Sequence, residues 1–145
     1  AGTRTAALRA AAADEVARRR TVPPADGPLT SRFGPRWGRL HAGIDFGLAE
    51  GSPVRAVAAG TIVEAGSDGD GYGTYVHVRH ADGTVTTYSH LSAVERGEGN
   101  VLPGDVLGRS GSTGRSTGPH RHFEVRIGGR AVDPLPWLCA RGVEL

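Results

Sequence analysis

Apolar and polar positions alternate along most of the chain after residue 50. PVRAVAAGTIVEAG (53–66), GTYVHVRH (73–80), GTVTTYSH (83–90), DVLGRSG (105–111) and HRHFEVRI (120–127) are rich in β-branched and aromatic residues, a pattern that predicts strands. The ADG, EGN, PGD and GG segments between them are turn signals, and a single helical turn is expected after Leu91, in LSAVERG. Short strands spaced this closely predict a mainly β, antiparallel domain over residues 29–138. The start of the chain differs. Residues 1–20, AGTRTAALRAAAADEVARRR, suit a helix, but its apolar face is mostly Ala with Leu8 and Val16, too thin to hold a core. It is therefore expected as a helical appendage. TVPPADGP (21–28) cannot continue a helix and is expected as a linker; residues 139–145 are expected as a C-terminal tail.

Composition narrows the class. The 23 Gly and 9 Pro in 145 residues argue against a helix bundle and for many turns. No apolar run is long enough for a transmembrane helix. A single cysteine, Cys139, excludes an internal disulfide framework and a cysteine-rich zinc site, and a packed or surface thiol is expected there. All 17 basic residues are Arg, so any chemistry that needs a lysine is closed. The net charge of +2 suits an approach to an anionic polymer without choosing one. The chain contains no Met, so residue 1 is expected to follow a removed leader or a longer preceding segment.

The candidate chemistry lies in the histidines. His120 and His122 stand two apart in a strand, so both project to one face and their nitrogens can converge on one zinc ion. Glu124 and Arg126 share that face; Phe123, Val125 and Ile127 are expected to face the core. His41 and Asp45 are four apart, a spacing that brings side chains together on a helix or a strand, and Asp offers a hard oxygen ligand. His90 is expected at a strand end, where it can point into a cleft as acid, base or donor. His77 and His80 are expected to be structural. Each motif alone is commonplace.

Together, HxxxD, a YSHLS histidine and HxHFE in this order resemble the lysostaphin-like (LytM-type) zinc endopeptidases of bacterial cell walls. The resemblance runs from Ser31 to Trp137 and takes in SRFGPR, HAGIDFG, GSPVRAVAAGTIVEAG, GYG, TYSHLS, VLPGD, GSTGRSTGPHRHFEV and VDP. It implies an open-grooved antiparallel sheet, one Zn2+ per chain held by His41, Asp45 and His122, and a catalytic pair, His90 and His120, beside the metal. Tyr72 matches a loop position that lines the substrate groove. Glu124 is a candidate either for the groove edge, in contact with substrate, or for orienting a ligating imidazole. Three protein ligands leave one zinc position open, and bound zinc lowers the pKa of water towards roughly 7. His120 as general base and His90 as donor, or the reverse, complete the expected hydrolysis of a peptide bond in peptidoglycan.

Departures from the family pattern are Arg121 between the two histidines, Thr74 after GYG, and EGN (98–100) before VLPGD; they bear on substrate preference and remove no ligand. The substrate implies a location outside the cytoplasmic membrane, secreted or wall-associated. A monomer is expected, with no nucleic acid partner and with the N-terminal helix as a surface for a regulatory protein. The Arg, Ala and Gly bias fits a GC-rich genome and favours a cross-link of D-Ala and diaminopimelate over a glycine bridge. The competing expectation is a zinc-binding, non-hydrolytic wall module that activates another hydrolase. A biotinyl or lipoyl carrier, suggested by AVAAGTIVEAG, is excluded because the chain has no acceptor lysine, and GSTGRSTG lacks the Walker lysine of a phosphate loop.

Overall fold

The computed structural model describes residues 2–68, 73–111 and 120–145; the side chains of Asp68, His120 and Arg121 lie outside that description. Helix α1 spans Gly2–Arg19 and buries none of its residues, as its Ala-rich face requires. Among the described residues twelve strands follow: β1 (Leu29–Ser31), β2 (Gly34–Arg36), β3 (Arg39–His41), β4 (Ile44–Gly47), β5 (Pro53–Arg55), β6 (Gly60–Asp68), β7 (Gly73–Arg79), β8 (Val85–Val94), β9 (Gly99–Val101), β10 (Val106–Ser110), β11 (His120–Ile127) and β12 (Arg130–Val132). A short helix α2, Pro134–Cys139, closes the domain and is capped by Asp133, whose carboxylate accepts from Leu135 N.

Ten strands make one antiparallel sheet with the order β1-β4-β11-β8-β7-β6-β9, to which β5, β10 and β12 attach; β2 and β3 form a separate hairpin. Strand β11 lies between β4 and β8, and this placement builds the site. The fully buried side chains Ile44, Phe46, Val54, Val76, Val78, Tyr88, Leu91, Leu107, Phe123, Val125 and Leu138 come from both ends of the chain. Phe123 and Val125 face this core as their alternation predicts, and Phe123 packs against Tyr88 with ring centroids 5.4 Å apart. Ile127 does not follow them. It is 50% exposed, because the strand is already entering the Gly128–Gly129 turn.

Two local expectations are corrected. The 53–66 run is two strands, β5 and β6, separated where Val57 N donates to the buried Tyr88 hydroxyl. LSAVERG contains no helical turn through Val94; β8 continues because Leu91, Ala93 and Val94 pair with Ser110, Arg109 and Gly108 of β10. The 21–28 segment has no regular structure, yet it is fastened to the domain: Val22 N donates to Val57 O, Arg55 N donates to Pro24 O, and Ala25 is buried. Val143, in the tail, also reaches the core. Among the described residues, no helix is long and apolar enough to cross a membrane.

Candidate metal centre

His41, Asp45 and His122 come together with one ligand atom from each within 4.8 Å of the others. The four-residue spacing of His41 and Asp45 works neither as a helix nor as a single strand. His41 ends β3, the chain turns at Ala42–Gly43, and Asp45 is the second residue of β4. Gly43 is obligatory at that turn: a Cβ there would lie 2.3 Å from the Phe123 carbonyl oxygen and 2.9 Å from Glu124 Cγ. His122 arrives from β11, directly opposite Asp45 on β4 and Ser89 on β8.

Hydrogen bonding fixes which nitrogens face inward. His41 Nδ1 lies 2.7 Å from the Arg32 carbonyl, which can only accept, so the proton sits on Nδ1 and Nε2 presents its lone pair. That Nε2 is 3.3 Å from Asp45 Oδ2. His122 Nε2 lies 2.8 Å from Glu124 Oε2 and its Nδ1 2.7 Å from Asp45 Oδ1, so each ring nitrogen faces a carboxylate. One nitrogen of each imidazole therefore faces the same carboxylate. A cation, either a proton on a ring nitrogen or a metal, is what holds the three groups together, and two neutral imidazoles with one carboxylate suit zinc. Burial alone would lower the pKa of His122, but its bonds to Asp45 and Glu124 outweigh that cost and raise it. The three side chains are only partly covered, at 16%, 17% and 12% exposure, so an incoming group can reach them.

Glu124 is 2% exposed and so sits beneath the ligands instead of at an open groove edge. Its Oε2 accepts from His122, while its Oε1 accepts from Arg126 Nε at 2.9 Å and lies 2.7 Å from Arg126 Nη2. Burial would raise the carboxyl pKa; the bond and charge of His122 and the Arg126 guanidinium hold it below the ordinary range. Arg126 is in turn tied to the Gly129 carbonyl. This Arg126–Glu124–His122 chain was only half visible beforehand: the shared strand face was legible, but Arg126 as the anchor was not.

His90 is not at a strand end. It lies within β8 at a bulge, where Ser89 and His90 together oppose the one residue between Thr74 and Val76 of β7. Its φ of 60° is left-handed, uncommon for a residue with a Cβ, and the Gly111 amide holds its carbonyl. The ring is buried and stands edge-on to His122, with centroids 6.0 Å apart. The backbone of His120, on β11, pairs with Gly47 of β4; its side chain, and all of Tyr72, lie outside the described residues. His80 is structural. Its ring bonds the Ala59 carbonyl and Thr86 Oγ1, and Thr86 Oγ1 bonds the Tyr88 hydroxyl. His77 lies on the partly exposed face of β7, 3.5 Å from Glu64. Cys139 is an exposed thiol.

The chain thus carries, on an antiparallel sheet, a His–Asp–His cluster able to hold a metal ion. It belongs to peptidase family M23, whose sequence pattern matches residues 39–134. It is 56% identical over 97 residues to the DD-carboxypeptidase/endopeptidase Mpg of Neisseria meningitidis serogroup B, a match that covers 67% of this chain and 22% of that relative. The match thus spans between about a fifth and two fifths of the length of the curated relatives. The fold is similar to the catalytic domain of lysostaphin from Staphylococcus simulans, with a TM-score of 0.73 and 36% identity, covering 78% of this chain and 92% of that one. It is also similar to a zinc containing peptidase from Vibrio cholerae, with a TM-score of 0.70 and 34% identity over 80% of this chain and 38% of the other.

Proposed function

We propose that this chain is a zinc-dependent endopeptidase that hydrolyses peptide bonds in the stem peptides or cross-links of peptidoglycan, outside the cytoplasmic membrane. One observation carries the metal assignment: Nε2 of His41 and Nδ1 of His122 both face the Asp45 carboxylate, at 3.3 Å and 2.7 Å, in a cluster of three ligand-type atoms. His41, Asp45 and His122 would hold the ion, which when bound supplies a Lewis acid for the scissile carbonyl and an acidified water.

The remaining work falls to the protein's own groups. The Arg32 carbonyl and the Glu124 carboxylate fix the tautomers and ring orientations of His41 and His122. His90 and His120 are assigned as the catalytic pair. One takes the proton of the attacking water; the other donates to the developing oxyanion or to the leaving amine. The buried position and left-handed backbone of His90 hold its ring beside His122 without making it a ligand atom of the cluster. The higher identity to a relative named for DD-carboxypeptidase/endopeptidase activity, 56% against 40% for lysostaphin, favours a D-Ala-containing bond over a glycine bridge. The C-terminal end of α1 lines a cavity with Ala58, His80, Trp137 and Arg141, none of them a residue of the His41–Asp45–His122 cluster.

The test is mass spectrometry of fragments released from purified sacculi, with a chelator-treated control. New amine and carboxyl termini that vanish with chelator are expected, and they identify the bond. No release by zinc-loaded protein would overturn the assignment in favour of a non-hydrolytic wall module. His41→Ala and His122→Ala should lose zinc by elemental analysis. His90→Ala and His120→Ala should keep zinc and lose about 10²–10⁴ in turnover.

A further inference from the structure

We propose that the β2–β3 hairpin is a substrate subsite, with Trp37 and Arg39 recognising a carboxylate-bearing stretch of peptide two to four residues from the metal centre. The assignment rests on the peptidase function above and specifies what it reads. Trp37 is 97% exposed at the hairpin tip, and Leu40 beside it is 57% exposed. Neither side chain serves the core. Turn chemistry does not call for Trp either: Trp37 and Gly38 have φ of 45° and 78°, the pattern of a two-residue turn that favours Asn-Gly. A bulky residue is strained there, so the position is not explained by folding.

The surroundings are cationic. Residues 31–41 contain Arg32, Arg36 and Arg39 and no Asp or Glu. All three arginines are exposed, and among the described residues none is paired with a carboxylate. Arg36 Nη2 does bond Ser31 Oγ, which holds one guanidinium against the base of the hairpin. A guanidinium fork matches a carboxylate, and an indole covers the apolar part of the same ligand at small entropic cost.

Position ties this patch to the site. In the hairpin register Gly34 opposes His41 and Arg36 opposes Arg39, so the tip is a direct extension of the strand that carries a candidate metal ligand. At about 3.3 Å per residue the Arg36–Arg39 pair lies about 7 Å along the backbone from His41, and Trp37 about 10–13 Å. An extended peptide advances at nearly the same rate, so the hairpin spans roughly the second to fourth residue from the bond being cut. An acidic stem peptide meets both requirements; a neutral glycine bridge does not.

The test uses a soluble cross-linked muropeptide with free carboxylates and the same compound with those groups as carboxamides. Binding is measured by calorimetry, and cleavage by steady-state kinetics of zinc-loaded protein. The wild type is expected to favour the free-carboxylate form about tenfold in Kd and KM. Arg39→Gln and Trp37→Asn should raise KM for that form by about tenfold with kcat nearly unchanged, and Arg39→Gln should erase the preference. Because Asn suits the turn, Trp37→Asn should melt at the same temperature or higher, which separates a binding role from a folding one. Equal KM for both forms, or unchanged KM in the two variants, would overturn the subsite alone. A wild type that cleaves neither form would overturn the peptidase assignment and the subsite with it.

Discussion

Replacing Glu124 by Gln is the sharpest probe of how the cluster is held. The carboxylate has two demands on it: Oε2 accepts from His122 Nε2, and Oε1 accepts from Arg126. A glutamine of the same shape has one acceptor and one donor end, so it can meet only one demand. With its oxygen on His122, the amide N–H₂ faces the Arg126 guanidinium, donor against donor. With its oxygen on Arg126, the amide confronts His122 Nε2 and drives the ring proton to Nδ1, the atom that faces Asp45. Either arrangement weakens the ligand set. Loss of such an outer partner costs about 10–100-fold in metal affinity, or about 1.4–2.8 kcal/mol. Glu124 is far enough below the surface that water cannot replace the lost bond cheaply. The assay is competition for zinc against a chromophoric chelator at pH 7.5, with circular dichroism to confirm the fold. A folded variant that binds zinc within about twofold of the wild type would mean that Glu124 does not orient His122, and the argument would fail.

Three further outcomes follow from other parts of the fold. Gly43→Ala drives a methyl group into the Phe123 carbonyl and the Glu124 side chain, so it should cost about 1–3 kcal/mol in urea unfolding and also weaken zinc binding. Tyr88→Phe removes the hydroxyl shared by Val57 N and Thr86, leaving a buried amide without that acceptor; a loss of about 1–3 kcal/mol is expected from the shift in the unfolding midpoint. Burial lowers the pKa of His80 from its ordinary 6.5, against the opposing pull of the Ala59 carbonyl and Asp82 and with some help from Arg141. Since the unfolded chain binds the proton more readily, the stability from neutral His80 is present above about pH 6.5 and is lost as pH falls through its lower folded value. His80→Gln should therefore flatten stability between pH 7.5 and 5, and a variant with the same slope as wild type would refute the assignment.

What the sequence made legible was set by range. The alternation in 120–127 correctly put Phe123 and Val125 in the core and set His122 and Glu124 on the opposite face, because strand parity is a local property. The joining of His41 to Asp45 was visible as a spacing, but its real cause, a glycine turn between two strands, depends on how close Phe123 and Glu124 approach from 80 residues away. His90 shows the limit most clearly. Its sequence looks like the end of a strand, and the ladders that β8 shares with β7 and β10 keep that strand going past it. The short strands β1 to β4 carry too few residues for any period to stand out, and they exist because β11 and their own hairpin offer partners.

The way Asp45 meets His122 also sets the order of events during synthesis. The two residues are separated by 77 positions and become neighbours only when β11 slots between β4 and β8. A nascent chain that has not reached β11 presents His41 and Asp45 alone, a pair too sparse to retain zinc. Closing so long a loop is among the later steps of folding, since its entropy must be met before the contacts reward it. Metal capture at the proposed site would therefore be tied to completion of the whole sheet, and a chain truncated or stalled before residue 120 would lack one of its three candidate ligands.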